Sequence, residues 1–121
     1  MPRQRKPRPP RESEKDFQKW VTDNATLLGW KWAHFRDSRR QIAPGQFVGD
    51  VQAAGFPDLV LVKDQLIYMV EIKKQSGKLT SAQEEWQAVL APTPVIHEVW
   101  RPSDRERILY ILSGDKARIQ L

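Results

Sequence analysis

Two acidic residues and a lysine at the ends of apolar segments could perform metal-assisted hydrolysis. Asp58 opens an apolar segment, and thirteen residues later Glu71 begins the triplet Glu71-Ile72-Lys73. Carboxylates bind hard cations such as Mg²⁺. A bound cation lowers the pKa of water, and a lysine can stabilise the negative charge of a pentavalent phosphate. Few other catalytic groups are available, because the chain has no cysteine, only two histidines and no glycine-rich phosphate loop.

Two neighbouring strands must bring these groups together. The apolar segments 59–62 and 66–73 are separated by a short turn and predict a β-hairpin. Two registers are possible about that turn. One brings Asp58 opposite Val70, and the other brings it opposite Glu71. In either register, both acids lie at the same end of the hairpin.

Strand geometry also predicts the metal ligands. Side chains alternate across a strand, so Glu71 and Lys73 share one face while Ile72 points into the core. Asp58, Glu71 and the main-chain carbonyl of Ile72 would then form an oxygen site for Mg²⁺ or Mn²⁺. Alternatively, the Glu-x-Lys pattern is an ordinary solvated face. Charged residues at the ends of two apolar strands favour a functional role over a solvated face, because burying an uncompensated ion costs several kcal/mol.

The remaining pattern predicts a mixed α/β fold. Residues 36–56 are interpreted as a long connection, and the rest predicts the order α-β-β-β-α-β-α. A helix between two strands implies a parallel crossover beside the hairpin, and so a mixed central sheet flanked by helices. The elements outside the hairpin are a helix capped by Ser13 and stopped at Gly29, a strand at 30–35, a helix from the Thr80 capping box to about Leu90, a strand at 95–100 and a helix at 105–112.

The charge is unevenly distributed along the 121 residues. Five of the 20 basic residues lie within 1–11, which contains no acid, so the rest of the chain carries 15 basic and 15 acidic residues. Prolines are also concentrated at the N-terminus. We therefore predict a disordered basic tail over 1–12 and a single domain over 13–121. The tail is interpreted either as an arm that contacts DNA phosphates or as a solubilising leader.

The composition also predicts the cellular compartment of the protein. No apolar stretch approaches the roughly 20 residues of a membrane span, and the basic N-terminus lacks the apolar core of a signal peptide. The absence of cysteine fits a reducing compartment. We therefore expect a cytoplasmic protein with no membrane partner.

Several further side chains are candidates for the site. Glu14, in the first turn of the first helix, could contact a metal or water if that helix packs across the sheet edge. Gln83 is either the capping-box partner of Thr80 or a phosphate contact at a helix N-terminus, and the two roles are compatible. His34 is either a phosphate contact or, as we favour, a partly buried structural histidine. The basic residues that could follow a DNA backbone, or be ordinary surface charges, are Arg36, Arg39, Arg40, Lys74 and Lys78.

The combined motifs resemble a known nuclease family. They cover residues 13–105 and are similar to the virus-type replication-repair nuclease (VRR-NUC) domain of the PD-(D/E)xK superfamily, especially its small free-standing phage and bacterial members. The segments that carry the resemblance are Ser13-Glu14 with Phe17, Gly29-Trp30 leading to His34, Gly55 to Val62, Glu71-Ile72-Lys73, Gly77-Lys78-Leu79, Gln83 to Trp86 and Val99 to Asp104.

The resemblance implies a restriction-endonuclease-like fold and a divalent-metal endonuclease. It implies Asp58, Glu71 and Lys73 as the catalytic core, Glu14 as the helix-borne acid and Gln83 as a residue near the site. Its small members resemble dimeric Holliday-junction resolvases, which implies a homodimer that acts on branched DNA in DNA repair. The alternatives are a flap or other branched-DNA nuclease, and a DNA-binding accessory module that does not cut.

Overall fold

The computed structural model describes residues 12–35, 40–43, 46–48 and 54–114, with the backbone alone for 40–43 and 46–48. Of the predicted tail, only Glu12 is among them. None of the helices in these ranges is long and apolar enough to cross a membrane. In chain order the elements are α1 (Glu14–Leu27), β1 (Lys31–His34), β2 (Arg40–Ala43), β3 (Gln46–Val48), β4 (Leu59–Lys63), β5 (Leu66–Ile72), α2 (Ser81–Leu90), β6 (Ile96–Trp100), a 3₁₀ turn (Pro102–Asp104) and α3 (Arg105–Leu112).

The central sheet is mixed, as predicted. Its four strands lie in the order β1-β4-β5-β6. The pairs β1–β4 and β4–β5 are antiparallel, whereas β5 and β6 are parallel and are connected through α2. A parallel pair needs such a crossover, because its two strands run in the same direction.

The turn between β4 and β5 decides the register of the hairpin. Asp64 and Gln65 both have positive φ, at 49° and 69°. Two such residues are typical of a type I′ turn, whose twist matches that of the strands it connects. Val62 consequently pairs with Ile67, which confirms the register that brings Asp58 opposite Glu71.

The capped helix starts are also confirmed. The Ser13 hydroxyl accepts a hydrogen bond from the Asp16 amide at 3.0 Å and begins α1. Thr80 and Gln83 form a complete capping box at the start of α2. Each bond satisfies an amide that the first turn of a helix leaves without a partner.

The hydrophobic core lies between one face of the sheet and the helices α1 and α3. The indole of Trp30 is buried there and donates to the Leu112 carbonyl at 2.8 Å, which joins the start of β1 to the end of α3. Helix α2 lies against the other face, where Glu71 points. The core side chains are Phe17, Val21, Ala25, Trp30, Leu59, Leu61, Tyr68, Val70, Ile72, Trp100, Ile108, Ile111 and Leu112.

The connection between β1 and β4 corrects the predicted element order. We predicted no strand over 36–56, but β2 and β3 form a separate antiparallel two-stranded sheet. The sequence did contain a signal, since Pro44-Gly45 is a common turn dipeptide between two short segments. Among the described residues, these two short strands pair with each other and with no third strand, so their sequences show little apolar periodicity.

Candidate active site

Asp58 and Glu71 lie opposite each other on neighbouring strands. The Leu59–Val70 pair of the β4–β5 ladder places the next residues, Asp58 and Glu71, side by side on the α2 face. The Asp58 carboxylate accepts a hydrogen bond from the Ile72 amide at 2.8 Å. This contact fixes the carboxylate at the end of β5, next to Glu71.

Glu71 is a buried acid with an incomplete set of protein contacts. Its side chain is fully buried, and Oε2 accepts a hydrogen bond from the Gln83 amide nitrogen at 2.9 Å. Oε1 is equally enclosed and receives no hydrogen bond from a donor among the described residues. Burial, followed by the charge of Asp58 and by the hydrogen bond that the protonated carboxyl makes with Asp58, raises the pKa of Glu71 to about 8. Without a cation, the Glu71 carboxyl is therefore protonated at neutral pH.

Gln83 connects the start of α2 to the acidic pair. Its side-chain oxygen accepts from the Thr80 amide at 2.9 Å, while its side-chain nitrogen donates to Glu71. The capping box thus fixes the amide that orients Glu71. The capping contact proposed from the sequence is confirmed, and a catalytic role for Gln83 stays a prediction.

Lys73 follows β5 on the same face as Glu71. Its amide donates to the Trp100 carbonyl at 3.0 Å, which extends the parallel pairing with β6. Its side chain is half-buried, and its positive charge lowers the pKa of Glu71 against the larger effects of burial and Asp58. Lys73 is therefore close enough to interact with the acidic pair.

Pro57 explains why the Ile72 carbonyl is available to a ligand. Because Lys73 points its amide toward β6, the adjacent residue Ile72 points its amide and carbonyl toward β4. The β4–β5 register places Pro57 opposite Ile72. Proline has no N–H, so the ladder offers no donor to that carbonyl.

Glu14 reaches the site from α1, as its position in the first turn suggested. Its side chain is exposed, yet its pKa is raised, first by partial burial and then by the negative charge of Asp58. Lys73 and Lys74 lower it. Glu12, two residues earlier, points elsewhere, since its carboxylate pairs with the Arg105 guanidinium.

The residues fit a divalent cation held partly by water. Asp58, Glu71 and the Ile72 carbonyl supply oxygen atoms from two strands, and no donor among the described residues reaches the buried Oε1 of Glu71. Among the described residues, no three His, Cys, Asp or Glu side chains are grouped to hold a metal. An ion here would complete its shell with water, as Mg²⁺ commonly does. These ligands stay a prediction.

The structure places only some of the predicted DNA-binding residues near the site. Lys74 and Lys78 lie in the segment between β5 and α2, and both side chains are exposed. Lys74 and Glu14 both line a cleft of ≈ 660 Å³ that opens beside the N-terminus of α1. Arg36 and Arg39 lie outside the described residues, and Arg40 is described by its backbone alone in β2.

His34 is placed away from the acidic pair. It pairs with Leu59, whose side chain is in the core, so His34 lies on the α1 face and Glu71 on the α2 face. The favoured interpretation of a partly buried histidine is wrong, because its side chain is exposed. Strand β1 is the edge strand of the sheet and ends at His34, so the side chain of His34 stays exposed to solvent.

Sequence reasoning missed the contacts that fix the segment after Lys73. The Gln75 amide nitrogen donates to the Ser103 hydroxyl at 3.0 Å, and its oxygen accepts from the Ser103 amide at 2.9 Å. The Arg101 guanidinium donates to the Gly77 carbonyl at 2.7 Å. These partners are separated by more than twenty residues, so no local pattern could have predicted the contacts.

The comparison with protein families agrees with this geometry. The model of the VRR-NUC domain matches residues 9–104. The chain belongs to the VRR-NUC family. This membership gives the domain a PD-(D/E)xK-like nuclease fold and a nuclease-type function in DNA processing. Searches against curated proteins and against solved structures found no significant match.

Replacing Glu71 by Gln is expected to stabilise the metal-free VRR-NUC domain at alkaline pH. The raised pKa means that the folded state binds one more proton than the unfolded state between pH 4.5 and about 8. Stability is therefore lost as pH rises through that window. We expect Glu71→Gln to gain roughly 2 kcal/mol, or about 10 °C in Tm, at pH 9 in EDTA. At pH 4.5 the two proteins should melt alike.

Thermal melts across this pH range test the expectation. Glu84→Gln, at an exposed acid in the first turn of α2, is the matched control and should show no such pH dependence. Adding Mg²⁺ at pH 9 should raise the Tm of the unsubstituted protein and not that of Glu71→Gln, because only the former keeps both carboxylates. A Tm difference that is constant across pH would contradict the buried, protonated state of Glu71.

Proposed function

We propose that this VRR-NUC domain is a Mg²⁺- or Mn²⁺-dependent, structure-selective DNA endonuclease that acts as a homodimer on branched DNA, such as a Holliday junction. One observation carries the proposal. The carboxylates of Asp58 and Glu71 are adjacent at the end of two strands, and a buried oxygen of Glu71 receives no hydrogen bond from a donor in the described part of the chain. A divalent cation would satisfy that oxygen and offset the charge of both acids.

Each residue of the site has a chemical task in this proposal. A bound cation would supply Lewis acidity and lower the pKa of a water molecule. Asp58 and Glu71 hold the cation, and Gln83 keeps Glu71 oriented. Lys73 stabilises the negative charge that develops on the phosphate. Glu14 contacts water or the cation from the α1 side.

The homodimer follows from the reaction. Each domain contains one Asp58–Glu71 pair, and one such site cuts one strand. Symmetric cleavage of a four-way junction requires two cuts, so two copies related by a two-fold axis would supply both sites. Lys74 and Lys78, next to the site, would contact the DNA backbone.

A substrate panel tests the proposed function. The protein is incubated with a labelled four-way junction, a flap and a plain duplex, with Mg²⁺, with Mn²⁺ and with EDTA, and its size is measured by chromatography. We expect metal-dependent cutting of the junction in preference to the duplex, by a dimer. Tight junction binding without cleavage under any condition would instead favour an accessory module. Preference for the flap would shift the assignment to another branched-DNA nuclease.

Removing residues 1–11 is expected to weaken the salt dependence of DNA binding. This segment holds Arg3, Arg5, Lys6, Arg8 and Arg11 and no acid. Each phosphate contact contributes about 0.9 to the slope of log K against log salt concentration. If all five residues contact phosphates, the magnitude of the slope should fall by about 4.5, as measured by titration at several salt concentrations.

A full-length variant with these five residues replaced by Gln is the matched control. It should reproduce the smaller slope, because it keeps the length of the tail and removes its charge. Metal binding should be unchanged in both proteins. If the slope of the truncated protein equals that of the intact chain, the tail does not contact DNA.

A further inference from the structure

An exposed aromatic residue lies directly beside the acidic pair. The Phe35 amide donates to the Asp58 carbonyl at 2.8 Å, continuing the β1–β4 ladder by one residue beyond the His34–Leu59 pair. Phe35 is therefore opposite Asp58, just as Asp58 is opposite Glu71. Opposed side chains share a face and are about 5 Å apart at Cβ. Phe35, Asp58 and Glu71 thus form one row across three strands.

The Phe35 ring is exposed and yet held in place. Of its surface, 44% is open to solvent. The ring of Phe56 lies edge-to-face with it at 5.4 Å, and the ring of Trp86 lies edge-to-face with Phe56 at 5.0 Å. The Trp86 indole in turn donates to the Ala54 carbonyl at 3.0 Å. This aromatic ladder fixes the ring from one side.

Such a ring is suited to stacking on a flat ligand. A ring that is already fixed loses little side-chain entropy when a ligand binds. Every nucleobase has a π-face, so aromatic stacking binds bases with little regard to sequence. Neighbouring Cβ atoms in the row are about 5 Å apart. A phosphate bound at the proposed cation site of Asp58 and Glu71 would therefore have an adjoining base within one nucleotide of Phe35.

We propose that Phe35 is a stacking platform for an unpaired nucleobase of the DNA substrate, next to the phosphate that is cut. This inference rests on the proposed nuclease function and adds a reason for its selectivity. In an intact duplex both faces of each base are stacked on neighbours, so Phe35 finds no free face. At a branch point a base can leave the stack and bind, which favours branched DNA over plain duplex.

Binding measurements with abasic junctions test the platform. Fluorescence anisotropy measures the affinity of the Lys73→Ala protein for junction DNA in the presence of Mg²⁺. Because this variant is expected to cut slowly, binding can be measured separately from cleavage. A single abasic site is moved through the nucleotides that flank the branch. With Phe35 intact, we expect one position at which base loss weakens binding roughly ten-fold. With Phe35→Leu added, intact DNA should bind roughly ten-fold more weakly, and that position should lose its effect.

Two further variants separate stacking from packing. Phe35→Trp keeps a π-face and should retain the base dependence. Trp32→Leu removes an aromatic of similar exposure, 38%, three residues earlier in β1, and should leave the base dependence unchanged. If the abasic effects are the same at every position with and without Phe35→Leu, the proposal is overturned. Loss of the base dependence in Phe35→Trp would overturn it as well. If the protein cuts no DNA at all, the nuclease proposal fails while these affinities still report on stacking.

Discussion

Replacing Asp58 by Asn should reduce DNA cleavage by about a thousand-fold while leaving the fold intact. The substitution keeps the shape of the side chain and removes one of the two carboxylate charges at the proposed cation site. Metal ions contribute several kcal/mol to such reactions, and each 1.36 kcal/mol corresponds to a factor of about ten in rate. Single-turnover cleavage of the labelled four-way junction in Mg²⁺ measures the effect directly.

Lys73→Ala should reduce cleavage by about a hundred-fold or more, because it removes the positive charge that offsets the developing negative charge on the phosphate. Unlike Asp58→Asn, it leaves both carboxylates in place. The two variants therefore separate loss of cation binding from loss of charge stabilisation. Mn²⁺ titration should show weaker binding for Asp58→Asn and nearly unchanged binding for Lys73→Ala.

Asp64→Asn is the matched control for these variants. Asp64 is an exposed acid in the turn at the other end of the same hairpin, and Asn tolerates its positive φ of 49°. This variant should cut as fast as the unsubstituted protein. If Asp58→Asn and Lys73→Ala also cut at that rate, the site has been assigned to the wrong residues.

Replacing Gly55 by Ala should cost at least about 3 kcal/mol of stability, or roughly 15 °C in Tm. Gly55 has a φ of +78°, which is unfavourable for alanine by about 1 kcal/mol. A Cβ there would also lie 2.4 Å from the Ala82 carbonyl carbon and 2.6 Å from the Gln83 amide nitrogen. These are backbone atoms at the start of α2, so they cannot rotate away.

The same change should affect the site. To make room, the segment before Pro57-Asp58 must move away from α2, and Gln83 is the residue that orients Glu71. We therefore expect cleavage by the fraction that remains folded to fall as well. Thermal melts, together with cleavage measured well below the Tm, distinguish these two effects.

Gly114→Ala is the control that separates the steric clash with α2 from the cost of the backbone conformation. Gly114 has a similar φ of +82°, but a Cβ there meets no described atom within 4 Å. It should therefore cost only about 1 kcal/mol, the part due to backbone conformation. Equal losses in the two variants would show that contact between Gly55 and α2 contributes nothing.

Local sequence was sufficient for most elements of the fold. Ser13 and Thr80 are side chains that cap helices by bonds to residues three positions away, so their effect could be anticipated without knowing the tertiary structure. The hairpin was similarly predictable, because a short turn restricts the register of two adjacent strands. The β2–β3 sheet was missed, since two short strands that pair with each other outside the central sheet lack a clear apolar pattern.

The placement of individual side chains was less predictable. His34 lies in an alternating aromatic segment, and the same pattern fits a buried or an exposed strand. Its exposure depends on the position of β1 at the edge of the sheet. Phe35 was not singled out at all, because its significance lies in a backbone contact with Asp58, which is more than twenty residues away.

The sequence alone determined which chemistry is possible here. Residue types fix the acids and the lysine, and strand periodicity places Glu71 and Lys73 on one face. The tertiary structure decided how these groups behave. Burial of Glu71 between the sheet and α2, next to Asp58, raises its pKa and leaves one of its oxygens with no hydrogen-bond donor among the described residues. Desolvation and the proximity of distant residues are properties of packing, so only the folded chain could reveal them.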